Sequence, residues 1–136
     1  MVLPALYGDV DPKSSPYPGD NNNWTSYDKF IDQVIKDMKN SHVNLDKFVV
    51  DIQNETDGPL YWTRGQGRSF EVWRRSYTMF KRAFGPKVKI QGPSFSGNPR
   101  LDNDWWTGFA SFVKKNNCPP DTGTWHMEEG DGNMLE

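Results

Sequence analysis

Apolar positions recur along this chain in two alternating rhythms. From residue 27 to 38, Tyr27, Phe30, Ile31, Val34, Ile35 and Met38 follow at steps of three and four, which lines one face of a helix. Thr25 and Asp28 stand where a capping box would open it. The same spacing predicts a second helix over 70–84, where Phe70, Trp73, Tyr77, Phe80 and Phe84 form an aromatic stripe and Arg74, Arg75, Lys81 and Arg82 take the wet face. Ser69 is its expected cap and Gly85-Pro86 its stop. A third helix is expected over 105–115, with Trp106, Phe109, Phe112 and Val113 apolar, Asp104 at its start, and Lys114 and Lys115 at the negative end of its dipole.

Short apolar runs bounded by turn residues lie between these helices: 2–7, 48–52, 88–91 and 122–127. Each has the length of a buried strand. Strand and helix therefore alternate, which implies an α/β fold with right-handed crossovers and a parallel sheet. Strand starts recur every 34 to 46 residues or so, the βα period of a closed barrel or of an open sheet.

In either case ligands gather beyond the carboxyl ends of the strands. Tyr7, Gly8 and Asp9 follow the first, residues 53–58 the second, Gly92, Pro93 and Ser94 the third, and His126, Glu128, Glu129 and Asp131 the fourth. Glu55 is the candidate of most interest. A carboxyl at the mouth of a parallel sheet, beside the amide of Asn54 and among aromatic rings, has the setting of a general acid, although a solvated loop carboxylate has the same sequence. Asn54-Glu55-Thr56 and Asn23-Trp24-Thr25 are also formal glycosylation sequons, which matter only in a secreted context.

Composition narrows the choices. The 136 residues are 35% hydrophobic, 25% charged and 14% aromatic, and the mean hydropathy is −0.84. This is one domain's length and too short for a complete eight-stranded α/β barrel, which takes about 250 residues. With so polar a chain the rings must supply much of the core or line a site. A net charge of −2 with no basic stripe argues against nucleic acid as a partner. No apolar run has the 20 or so residues that span a bilayer. One cysteine, Cys118, and two distant histidines, His42 and His126, offer no metal-ligand spacing. No glycine-rich phosphate loop follows a strand, so neither a metal nor an organic cofactor is expected. Residues 1–8 lack the basic start and apolar length of a signal peptide, which leaves localisation open.

The segment Val49-Val50-Asp51-Ile52-Gln53-Asn54-Glu55 resembles the fourth-strand motif of clan A glycoside hydrolases, in which an Asn-Glu pair ends the strand. The surrounding text is similar to family 39 and its fungal, β-xylosidase-related members. Leu3-Pro4-Ala5-Leu6-Tyr7-Gly8 resembles their third strand, Val88-Lys89-Ile90-Gln91-Gly92-Pro93-Ser94 their fifth, and Trp125-His126 the end of their sixth. The resemblance covers essentially the whole chain and implies a partial (β/α) barrel of the TIM type, about strands three to six, with four parallel strands and three helices.

It further implies a carbohydrate substrate and the roles of single residues. Glu55 matches the acid/base, Asn54 the amide that holds the sugar 2-hydroxyl, and His126 a position facing the substrate, though a satisfied rim histidine would read the same. Trp62 and Trp24 are candidates to stack on sugar faces, whereas Trp73, Trp105 and Trp106, at helical spacing, read as core. Family members are often secreted. Where the family has Asn-Glu-Pro this chain reads Asn54-Glu55-Thr56. Retention requires a second carboxylate, which in the resembled family follows strand seven, beyond the part these residues match. A non-catalytic carbohydrate- or protein-binding role is the alternative. Four strands taken from a closed barrel would leave open sheet edges, so self-association is expected.

Overall fold

The computed structural model describes residues 16–126. Three helices alternate with three strands: α1 (Thr25–Asn40), β1 (Val49–Asp51), α2 (Gln66–Phe84), β2 (Lys89–Phe95), α3 (Asp104–Lys115) and β3 (Thr122–Trp125). The strands pair in parallel in the order β1-β2-β3. The α/β class expected from the alternation holds, while the strand expected over 2–7 lies outside the described residues.

Each helix buries the face that its spacing predicts. On α1 these are Tyr27, Ile31, Ile35 and Met38; on α2 Phe70, Trp73, Phe80 and Phe84; on α3 Phe109 and Val113. The rings of Phe70, Phe95, Phe109, Trp105 and Trp106 meet edge-on or tilted with centroids 5.2–5.9 Å apart, the arrangement that ring quadrupoles favour. Trp73 is fully buried and donates its indole N–H to the Cys118 carbonyl at 2.8 Å. Cys118 is itself buried, and burial pushes its thiol above the usual range. α1 and α2 are joined by a hydrogen bond between the Tyr27 and Ser76 hydroxyls and by an ion pair of Asp28 with Arg75 at 2.9 Å.

The helix starts differ from expectation in instructive ways. Ser69 does not cap α2, which begins three residues earlier behind Gly65; Ser69 is fully buried inside the helix, where it meets Gln53 and Thr56. Thr25 and Asp28 form no capping box: Asn23 Oδ1 takes the Thr25 N–H, and Asp28 turns to Arg75. On α3 the cap is Asn103, whose Oδ1 accepts from the amides of Trp105 and Trp106, with Asp104 in the first turn. At the opposite end of the sheet Asp121 joins three elements, accepting from Lys81 Nζ and from the Ile90 amide, both at 2.7 Å.

Candidate functional site

The carboxyl ends of β1, β2 and β3 carry, in that order, Glu55, Ser94 and His126. After β1 the chain continues through Gln53, whose side-chain amide donates to the carbonyl and hydroxyl of Ser69 in α2 at 2.8 and 2.9 Å. That anchors the strand end to the first turn of α2. Two residues on, Glu55 turns into the left-handed region, φ 47°, an uncommon conformation for a residue with a Cβ. Its amide donates to the Ser94 carbonyl at 2.8 Å, and its own carbonyl accepts from Gly58 at 2.9 Å. The turn aims the carboxyl across β2 toward β3, where Oε1 lies 2.6 Å from Nδ1 of His126. The Glu55 side chain is 16% exposed and that of His126 30%, so the pair is sheltered but reachable.

Asp57 holds the loop beyond. Its carboxylate accepts from the amides of Ser96 and Gly97 at 2.8 and 2.9 Å and from the Ser96 hydroxyl at 3.1 Å. Trp106 closes the same loop by donating to the Gly97 carbonyl at 2.7 Å. Thr56, between the two acids, is buried and accepts from the Ser69 hydroxyl.

Beneath the pair a polar line crosses all three strands. Gln91, opposite Asp51 in the ladder, donates to Asp51 Oδ2 at 3.1 Å, and the Ser94 hydroxyl donates to the same oxygen at 2.5 Å. Since the single Ser94 proton is then committed, the Thr124 hydroxyl, 2.7 Å away, is the donor to Ser94. Asp51 is 6% exposed, and among the described residues its Oδ1 has no partner. Burial outweighs the Ser94 and Gln91 hydrogen bonds and the nearby His126, raising this carboxyl above the ordinary range.

Of the residues expected at the site, the fold thus brings Glu55 and His126 into contact and sets Asn54, half-buried, beside Glu55. The tryptophans lie elsewhere. Trp62 is only 4% exposed; its ring packs edge-on against Tyr17, with centroids 5.2 Å apart, and its indole N–H donates to the Gly65 carbonyl. In this position it serves the core, and its faces are not open to stack on a sugar. Trp24 has the Arg75 guanidinium 4.5 Å above its ring. Its ring also meets that of Tyr27 edge-on, with centroids 6.3 Å apart, and lies against Gly19 in a cleft shared with Arg64, Arg68 and Glu71; that lining includes neither Glu55, Asn54 nor His126. Ser94 and Asp57 were expected at strand ends but without a role, and Asp51 and Thr124 were not expected at the site. Asp51 left one signal in the sequence, a charged residue inside the apolar run Val49–Ile52.

Among the described residues no group of three or more His, Cys, Asp or Glu side chains is placed to hold a metal ion. No helix among them is long and apolar enough to cross a membrane.

No protein-family model matches this chain, and no curated protein matches it. Its structure is similar to the crystal structure of the GH39 enzyme from Xanthomonas axonopodis pv. citri, with a TM-score of 0.63 and 21% identity, covering 75% of this chain and 20% of that one. The chain thus spans a small part of the length of the enzyme it resembles. The likeness is one of fold: three parallel strands and three helices arranged as in a section of a glycoside hydrolase (β/α) barrel.

Proposed function

We propose that this chain carries the acid/base part of a retaining glycoside hydrolase site, with Glu55 as the residue that protonates the glycosidic oxygen and afterwards takes a proton from water. The observation that carries the reading is the 2.6 Å contact between Glu55 Oε1 and His126 Nδ1 at the mouth of a parallel sheet whose fold is similar to that of a GH39 enzyme. One proton is held between these two atoms. Held by that contact, Oε1 stays turned to His126, and the proton that the acid donates and later recovers from water is carried on the other carboxyl oxygen, Oε2. Oε2 has no partner among the described residues and is the oxygen free to address a substrate. Asn54, next in the chain, is the residue to hold the sugar 2-hydroxyl, with His126 facing the substrate.

A retaining step needs a second carboxylate about 5–5.5 Å from the first. Among the described residues the other carboxyls at these strand ends are engaged structurally, Asp51 by Ser94 and Gln91, and Asp57 by Ser96 and Gly97; Glu128, Glu129 and Asp131 lie outside the described residues. That commitment favours a second reading, an inherited carbohydrate-binding face without turnover.

One experiment separates the two. The full chain is assayed against aryl β-glycosides, β-xylosides among them, and titrated with the parent sugars while the signals of Asn54 and His126 are followed by NMR. Release of the aryl alcohol that disappears in Glu55→Gln supports the enzyme. Sugar-dependent shifts without release support the binding protein. Neither release nor shifts would overturn both.

A further inference from the structure

We propose that Ser94 is the positioning residue of the Glu55–His126 pair, acting through a single interruption of strand β2. The chemical meaning of the pair rests on the acid/base reading above, but the geometric argument does not.

The backbone of a strand addresses its two neighbours alternately. In the first part of β2 the odd residues face β1 and the even residues face β3: the Lys89 amide donates to the Phe48 carbonyl, and the Ile90 carbonyl accepts from the Asp121 amide. Continued regularly, this would turn the Ser94 carbonyl toward β3 and the Phe95 carbonyl toward β1. The reverse is found. The Ser94 carbonyl accepts from Glu55 on the β1 side, and the Phe95 carbonyl accepts from His126 on the β3 side, both at 2.8 Å.

The ladder shows where the exchange happens. Pro93 pairs with Thr124, but Phe95, not Ser94, pairs with Trp125. Ser94 is the extra residue of a bulge, with φ 52°, a left-handed conformation that a residue with a Cβ adopts only when its surroundings impose it.

The bulge has two consequences for side chains. It puts the ring of Phe95 among Trp105, Trp106 and Phe109 of α3, where it is fully buried. It also turns the Ser94 hydroxyl to the opposite side, where it ties together Asp51 of β1 and Thr124 of β3. The strands held by the hydroxyl are those that lead to Glu55 and His126. Burial of Phe95 accounts for the existence of the bulge; the hydroxyl sets the separation of the strands on either side of it. A pair that shares a proton at 2.6 Å depends on that separation.

The test reads the shared proton and needs no turnover. In the unmodified chain the proton at His126 Nδ1 is expected as a downfield, slowly exchanging NMR signal, absent in Glu55→Ala, with exposed His42 as the reference in the same spectrum. Ser94→Gly accepts the positive φ and removes the hydroxymethyl side chain, and with it the hydroxyl. The expected result is exchange at His126 Nδ1 about tenfold faster, the effect of losing one buried hydrogen bond, with the core amides of Ile90 and Trp73 unchanged. Exchange within twofold of the unmodified chain overturns the proposal, as does an equal acceleration of the core amides, which would mark Ser94 as a general stabiliser. Should Ser94→Gly not fold, Thr124→Val removes the hydroxyl's donor from a half-exposed position; faster exchange at His126 is again expected, and unchanged exchange again overturns the proposal. A negative result here leaves the glycosidase reading standing, and a negative glycoside assay leaves this one standing.

Discussion

The indole of Trp73 lies so close to Gly92 that a Cβ at that position would come within 2.6 Å of its Cζ3. The Trp73 ring of helix α2 thus lies directly on the backbone of strand β2, and Gly92 is also at φ 142°. Gly92→Ala meets both steric overlap and an unfavourable backbone, at a cost of about 3 kcal/mol. Gly123→Ala, with open space around the added carbon, is expected to stay within about 0.5 kcal/mol of the unmodified chain. Urea denaturation of the two variants measures the difference; equal midpoints would mean that the contact does not limit packing.

Asp51 makes stability depend on pH in an unusual direction. Its carboxyl is raised above the ordinary 3.8, so the folded chain takes up a proton at higher pH than the unfolded chain does. The folded state is therefore favoured on the acid side of this titration, and that stability is lost as pH rises through the folded-state value. Asp51→Asn keeps an acceptor for Ser94 and Gln91 but cannot ionise. It should be more stable than the parent at neutral pH, with the advantage shrinking toward pH 4. Denaturation midpoints across pH 4–8 provide the comparison, and parallel curves would count against a buried ionising Asp51.

Asp20 works in the opposite sense. The Arg64 guanidinium donates to both of its oxygens at 3.0 and 2.9 Å, the Tyr17 amide adds a third bond, and Arg68 lies against it. Led by the Arg64 bonds and opposed by burial, these hold its pKa at about 2. The stabilisation is present above about pH 4 and is lost as pH falls from there through 2. Asp20→Asn should flatten this acid limb and cost about 1 kcal/mol at pH 7, as expected for a partly exposed pair. An acid limb unaltered by the substitution would assign it to other carboxylates.

Trp62 and Asp57 separate core from site. Trp62→Ala empties a buried position and should cost about 3 kcal/mol in stability, while any sugar-induced shifts at Asn54 and His126 persist once the chain is folded. Asp57→Ala leaves the core intact and releases the loop after β2, so amide exchange at Ser96 and Gly97 should accelerate while the thermal midpoint moves little. A Trp62→Ala variant of unchanged stability would contradict the burial of that ring.

Legibility in the sequence followed the range of the physics involved. The faces of α1, α2 and α3 could be read because a helix repeats every 3.6 residues and Tyr27, Ile31, Ile35 and Met38 obey that repeat. The alternation of strand and helix, and hence the parallel sheet, was equally legible, as was the placing of Glu55 and His126 at strand ends. Ser69 deceived because a serine before an apolar stripe looks like a cap, whereas Gln53 and Thr56, 16 and 13 residues away, draw it into the interior. Trp62 deceived because a loop tryptophan looks available until Tyr17 is seen beside it.

Local periodicity and chain chemistry were therefore enough to define the α/β class, the buried helix faces and the place of Glu55 beyond a strand end. The partner of Glu55 was another matter. Its contact with His126, 71 residues away, depends on the register of two ladders and on one extra residue, Ser94, between them. A bulge leaves no periodic trace, because one inserted residue only reverses which way each later side chain and carbonyl points. That choice was made by the burial of Phe95 against α3, a contact that exists only once the helices have packed onto the sheet.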